Sequence, residues 1–435
     1  MGPKSVAIVG AGVSGLGAAW MLKRSGIQSV VYEKGSRIGG NAATIDVAQG
    51  NATVAIDIGV QYIVPMLYPN VIEMAKLLNV AIRSYPVSFT AAWDDENIFG
   101  THQKNGRLWR QLEPEMTRFT FEMHELLGLK SVEVTSFSIG EYLRSNQYST
   151  LFIEKVMGAV SGVMGLEFDH DYSSSMLLYV YAFCSNFLSF FSPCSTFAFA
   201  GGTRSFVQSL SADADVPIRL NCGVTRIHRT DSSVMIEDER GDRRQFDDVI
   251  ITTDGELALK LLAEPTRIEQ RVLSTYQTLK YPAVVHSDVS ALIPSIDESK
   301  RTYLEIRDQV TTVNNCVSNP GFVILTSPLL TTYADSDRID ESRILHRESF
   351  RQDKGSSFSF EVKKNIHRIQ GVNRTWFAGE GTTFASFETA MLSGFVIAEK
   401  LGAKYPFQAT PRANQLFDLM KHLMLRGEDS FKIAF

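Results

Sequence analysis

Cysteine is scarce and unpatterned in this chain. Cys184, Cys194, Cys222 and Cys316 are scattered over 435 residues without a Cys-x-x-Cys pair. That excludes a disulfide framework and a zinc ribbon, and it points to reduced thiols in a reducing, cytoplasmic setting. Metal spacing is missing too: His102, His124, His170, His228, His286, His346, His367 and His422 show none, so no metal is expected. There is no basic surplus, with Lys+Arg 43 against Asp+Glu 48 and a net charge of −5, so no nucleic-acid partner is expected. No apolar run is long enough for a confident membrane span. Met176–Phe191 is interrupted by Ser185, Asn186 and Ser189, which makes it a buried helix and leaves no transmembrane segment. The apolar start, Val6 to Leu22, has only Lys4 as a basic flank and reads as strand plus helix rather than a signal peptide. Val6 stands where myristoylation wants Ser or Thr.

What the chain does have begins at once. Val6-Ala7-Ile8-Val9 is a buried-strand run, followed by Gly10, Gly12 and Gly15 at GxGxxG spacing and by the helix formers Leu16 to Arg24. Strand, glycine turn and helix in this order form the dinucleotide fingerprint. The first glycine allows the turn, the second lets backbone approach a pyrophosphate, and the third lets the helix pack close. Backbone N–H groups of Val13 and Ser14 then stand at a helix N-terminus that receives phosphate. A second strand, Ser29–Tyr32, ends in Glu33, where a carboxylate accepts ribose hydroxyls.

The continuation Glu33-Lys34-Gly35-Ser36-Arg37-Ile38-Gly39-Gly40-Asn41, then Thr44 and Asp57-Ile58-Gly59, resembles the extended fingerprint of the FAD-binding glutathione-reductase-like superfamily, in its flavin amine oxidase and phytoene desaturase branch. A second block, Phe377-Ala378-Gly379-Glu380-Gly381 followed by the helix Phe387–Ala398, resembles the same family's C-terminal flavin motif. The resemblance implies FAD, held by Gly10, Gly12, Val13, Ser14, Gly15, Glu33, Lys34, Arg37, Gly39, Gly40, Asn41, Gly59, Val224, Gly379, Glu380, Phe387, Glu388 and Thr389. It implies an α/β fold: a Rossmann-like FAD domain, with a parallel sheet and a three-stranded β-meander, carrying an inserted α+β substrate domain. The expected division is 1–68, 196–266 and 366–403 for FAD, 69–195 and 267–365 for substrate, and 404–435 for a helical tail. No cysteine follows Cys316, so the FAD is expected to be non-covalent.

Within the substrate domain, 107–130 and 137–190 read as mainly helical, with Ser138 and Glu141 as a capping box. Residues 267–365 read as mixed strands, among them Ala283–Val289, Tyr303–Ile306 and Phe322–Thr326. The tail from Pro411 is amphipathic; docking on the protein body is expected, with membrane-surface contact as the alternative.

The chemistry is less determined. His286 is the natural general base of the Ala283–His286 strand, or else a strand residue bonded within the sheet. Gln61 and Tyr62 would border the flavin by analogy. The family's amine oxidases use a lysine on a central strand, where Pro282 falls here with Lys280 two residues early, and Ser386 stands where a cage tyrosine is common. Those departures, with Tyr281–Asp288 and Phe199–Arg204, resemble instead the FAD oxidoreductases associated with unsaturated or cyclopropane fatty acids. Leu151, Phe152, Val156, Met157, Val160, Val163, Met164, Leu177, Leu178, Tyr179, Phe183, Phe187, Phe190 and Phe191 would line an apolar pocket or fill the lobe's own core. The expected function is hydride abstraction from a C–H bond of a largely apolar small molecule. A redox-neutral double-bond isomerase, a flavin amine oxidase and a non-catalytic lipid-binding escort protein are the alternatives.

Overall fold

The computed structural model describes residues 4–65, 67–84, 89–93, 98–100, 106–128, 139–159, 196–291, 302–307, 310–316, 328–333, 337–353, 364–382 and 386–427. β1 (Ser5–Val9), α1 (Val13–Arg24) and β2 (Gln28–Tyr32) form the first unit, with β1 and β2 parallel. Both strands are buried on both faces, as a helix-covered parallel sheet requires. The hairpin β3 (Thr44–Gln49) and β4 (Ala52–Asp57) follows, then α2 (Pro69–Leu77), entered by a proline whose missing N–H costs nothing in a first turn.

The chain next crosses β5 (Ile82–Ser84), β6 (Phe89–Ala92), β7 (Ile98–Gly100), α3 (Arg107–Gly128) and α4 (Ile139–Ser145), with a π-helical turn at Phe152–Val156. It returns through β8 (Phe197–Phe199), α5 (Thr203–Ala214) and β9 (Ile218–Arg219). The antiparallel meander β10 (Val224–Arg229), β11 (Val234–Asp238) and β12 (Arg243–Phe246) leads to β13 (Asp248–Ile251). After α6 (Gly255–Leu261) and α7 (Arg267–Leu273) come β14 (Thr278–His286), β15 (Thr302–Arg307), β16 (Val310–Cys316), β17 (Leu330–Tyr333) and β18 (Ile344–Asp353). β19 (Thr375–Phe377), α8 (Phe387–Lys400) and α9 (Pro411–Leu425) close the described chain.

Two sheets carry the molecule. The parallel sheet is ordered β19-β13-β1-β2-β9, so strands far apart in sequence flank β1. The second, mixed sheet is ordered β18-β14-β17-β16-β15-β6-β7. The meander packs as a separate three-stranded unit, as the fold class requires. α1 is buried from Val13 to Leu22 because it lies between the parallel sheet and α8, with Trp20 stacked on Phe395 at 6.1 Å. α9 buries Ala413, Phe417, Met420 and Met424 against the body, and Tyr405 stacks on Phe417 at 3.8 Å. The tail's apolar face is therefore spent on docking.

Several expectations change. Residues 267–365 begin with a helix, α7, whose Thr266–Glu269 capping box closes both ways. β14 starts at Thr278, ahead of Pro282, and ends at His286 rather than Val289. Among the described residues, pairing with β17 begins at Ala283, one residue after Pro282, so Pro282 takes part in no described ladder bond on that side. β18, which no hydrophobic pattern announces, is an edge strand studded with His346, Arg347, Glu348 and Arg351. In the helical lobe Phe152 and Val156 are fully buried, and Phe152 packs on Phe119 and Tyr148, so these residues fill the lobe's own core. The Ser138 cap, Val160–Phe191 and Phe322–Thr326 lie outside the described residues. Among the described residues no helix is long and apolar enough to cross a membrane, and no cluster of metal-ligating side chains occurs.

Candidate cofactor site

β1 delivers the chain to Gly10, and α1 starts at Gly12 with no side-chain cap. Its first intrahelical bond runs from Leu16 N–H to Gly12 O at 2.9 Å, leaving the N–H groups of Val13, Ser14 and Gly15 without helical acceptors. A Cβ at Gly12 would meet nothing within 4 Å, whereas one at Gly15 would lie 2.0 Å from the Gly10 oxygen. The helix start is thus open on the Gly12 side and closed on the Gly15 side. The second glycine turn folds onto the first: Gly39 N–H donates to Ala11 O at 2.8 Å. Arg37 bends over that turn to donate to Gly40 O at 2.7 Å, and sits 3.8 Å from Glu348.

Glu33 stands at the end of β2, fixed by Ala11 N–H at 2.9 Å and Gly35 N–H at 2.7 Å. Lys34, exposed, lies beside Gly223 at the start of the meander, and Cys222 N–H donates to Glu33 O, so Glu33, Lys34 and half-buried Val224 come together. The C-terminal motif arrives from the opposite side. Asn41 Nδ2 lies 3.3 Å from Glu380 Oε2 and donates to Arg351 O at 3.0 Å. Gly379 N–H donates to Ser393 Oγ on α8 at 2.8 Å, and Ser393 Oγ is 3.0 Å from Ser14 Oγ. The expected Ser14 contact is therefore a backbone one; its side chain is buried against α8.

At the start of α8 the side chains turn into the protein. Ser386 caps the helix by accepting from Thr389 N–H at 3.1 Å. Phe387 is buried on Phe206, and Glu388 turns into the protein, accepting from Asn70 N–H, Asn70 Nδ2 and Val71 N–H at the start of α2. Burial pushes the Glu388 carboxyl up to about 7, against the lowering by these donors. Sequence reasoning missed Ser393 and Asn70, and read Ser386 as a departure from a cage tyrosine rather than as a cap. A signal existed only for Ser386, a good N-cap residue just before an apolar helix.

Asp57 at the end of β4 holds Thr44 Oγ1 at 2.5 Å and Thr203 N–H at 2.8 Å, tying the hairpin to α5; burial pushes its carboxyl up to about 6. Gly59 follows, packed so tightly on Asn41 that a Cβ would lie 1.7 Å from its oxygen. Gln61 Nε2 then donates to Tyr333 OH at 2.8 Å, joining this loop to β17, with Tyr62 half-buried beside it. His286 is not brought to this point. Register pairs Tyr333 with Ala283 and His286 with Leu330, which puts Tyr333 and His286 on opposite faces of the sheet. His286 is fully buried, its Nδ1 accepts from Asp288 N–H at 3.2 Å, and Nε2 therefore carries the proton toward Thr332 Oγ1 at 2.7 Å. Burial lowers its imidazole to about 4, with Asp288 opposing. The neighbours thus give His286 a place inside the sheet instead of the role of a free base.

These features fit FAD. The open side of Gly12 faces uncapped N–H groups suited to a pyrophosphate, Glu33 offers a carboxylate of the kind that accepts ribose hydroxyls, and Asn41 with Glu380 would stand at the flavin end. The sequence profile described as flavin containing amine oxidoreductase matches residues 13–287. A flavin-containing amine oxidase from Oncorhynchus mykiss is 23% identical over 286 residues, 60% of this chain and 52% of that protein. A second, from Danio rerio, is 24% identical over the same length, so the chain spans about half of each fish protein. A CLA-producing fatty acid isomerase from P. acnes superposes with a TM-score of 0.69 at 17% identity, covering 92% of this chain and 98% of the other. Putrescine oxidase bound to putrescine gives 0.69 at 15% identity, covering 92% and 99%. At such identities the superpositions speak for the fold alone, and it is the profile match, which covers Gly15, Glu33 and the Gly39–Gly40 turn, that places this chain in the flavin-containing amine oxidoreductase family, whose cofactor is FAD.

Proposed function

We propose that the chain is an FAD-dependent oxidoreductase that takes a hydride from a C–H bond of a largely apolar small molecule. Bound FAD supplies the hydride acceptor. The protein's part is to hold the pyrophosphate on the α1 start, the ribose on Glu33, and the substrate against the junction of the two sheets near Gln61 and Tyr333.

One observation supports the apolar reading: two described carboxylates beside that junction already face arginines. Glu348, in register with Ala283 as Tyr333 is, faces Arg37, and Asp254 holds Leu257 N–H and Arg351. An ammonium entering there would have to compete with those arginines for an anionic partner, which is costly. An alkyl or polycyclic substrate needs no such partner.

A second reading, amine oxidation, is favoured by the fish relatives, both of them amine oxidases. Anaerobic titration separates the two. Long-chain unsaturated fatty acids and polycyclic compounds are expected to shift or bleach the flavin absorbance, and small amines are not. Response to amines alone overturns the apolar reading. Product formed without lasting bleaching would identify redox-neutral double-bond migration.

A further inference from the structure

Three helices meet at one buried point. Glu388, in the first turn of α8, accepts from Asn70 N–H at 2.9 Å, Asn70 Nδ2 at 2.8 Å and Val71 N–H at 2.8 Å, all from the start of α2. Asn70 Nδ2 also reaches Ala413 O in the first turn of α9 at 3.2 Å, and Asn70 Oδ1 accepts from Tyr405 OH at 2.5 Å. Glu388 and Asn70 are both 0% exposed. A carboxylate at such a place is tolerable because N–H donors and the positive end of α2 converge on it. It therefore ties α8 to α2 more firmly than packing alone.

Along α8 from Glu388, Ser393 makes the other connection. Its hydroxyl receives Gly379 N–H and meets Ser14 Oγ, so it touches the turn before Glu380 and the first turn of α1 together. A rigid helix carries any shift at Glu388 to Ser393, and thence to both cofactor turns. We infer that Glu388 is a positioning residue for FAD, setting the placement of α8 through Asn70 and Val71 without touching the cofactor. The inference rests on the FAD assignment and is independent of the substrate.

The test is a double-mutant cycle on FAD affinity, using Glu388→Gln, Asn70→Ala and the pair, with dissociation constants from flavin fluorescence and midpoint potentials by dye equilibration. Each single variant is expected to bind FAD about ten- to a hundredfold more weakly and to shift the potential. The pair is expected to fall short of the summed losses, because the Asn70 Nδ2–Glu388 bond is common to both changes, while Asn70→Ala leaves the Asn70 and Val71 backbone donors in place. Additive losses overturn the inference, and so does an Asn70→Ala protein with parental affinity beside a weakened Glu388→Gln, which would mean direct contact between Glu388 and FAD. Should either variant fail to fold, Tyr405→Phe removes only the outermost hydrogen bond of the hub. It is expected to weaken FAD a few-fold and shift the potential; parental values for both overturn the inference. A parent that binds no FAD overturns the cofactor assignment as well, whereas a yellow parent with unchanged variants overturns this role alone.

Discussion

His286 and Tyr333 stand on opposite faces of the second sheet, although their strands are hydrogen-bonded neighbours. Tyr333 reaches Gln61 in the cofactor half, and His286 binds Thr332 and the Asp288 backbone on the other side. With its imidazole near 4, the folded state holds His286 neutral where the unfolded chain, near 6.5, binds a proton. Stability therefore rises with pH between those values and is lost as pH falls through them. This group alone is expected to cost about 2 kcal/mol between pH 7 and pH 5. Urea unfolding of the parent and of His286→Ala should show that share of the slope only in the parent. His286→Ala is also expected to be less stable at pH 7, with the bonds from His286 to Thr332 and Asp288 N–H lost, yet to reduce its flavin at the parental rate when folded. A rate loss of about a hundredfold or more in folded protein would restore the general-base role.

Glu33→Ala removes the carboxylate that orders Ala11 and Gly35 N–H and that would accept the ribose hydroxyls. The charge-assisted bonds lost are worth about 1.5–3 kcal/mol, so FAD affinity should fall about ten- to a hundredfold while the fold survives. Parental affinity in a fluorescence titration would remove Glu33 from the site.

The flavin is expected to leave with acid. Of the cysteines, only Cys222 has a described side chain, and its thiol is buried and donates to Asp238 at 3.1 Å, with burial pushing its pKa up. Such a thiol is a poor nucleophile. Precipitation with acid should place all the yellow colour in the supernatant, and flavin in the washed pellet would show a covalent link.

What the sequence disclosed follows from how local each signal is. The β1–turn–α1 start, Glu33 and the Gly379–Glu380 block were legible because short-range spacing sets their backbone geometry. α7 was hidden in a stretch read as strands, although its Thr266–Glu269 box was there to be seen. β18 was illegible for a physical reason: an edge strand with charged, half-exposed residues has no apolar period. The face on which His286 lands depends on pairing with β17 some 45 residues later, which no local pattern sets. Glu388 was singled out as a cofactor contact, whereas its partners, Asn70 and Val71, come more than 300 residues earlier in the chain, where no local pattern joins them.

Gly12 and Gly15 offer the sharpest contrast for a final test. Gly12 has φ −70 and ψ 175, an extended conformation open to any residue, and its Cβ direction is empty within 4 Å. Gly12→Ala is therefore expected to fold with parental stability, within about 0.5 kcal/mol. The added methyl would occupy space the pyrophosphate needs, so FAD binding should fall by about a hundredfold or more. Gly15 differs, since its Cβ would lie 2.0 Å from the Gly10 oxygen and 3.1 Å from Ile8. That contact is with backbone, which cannot swing away, so Gly15→Ala must push α1 off β1. It should lose about 1–3 kcal/mol of stability even without cofactor. Thermal melts of the apo-proteins beside FAD titrations separate the two effects. A Gly12→Ala protein that binds FAD like the parent would show that the open side of the helix start is not where the cofactor lies.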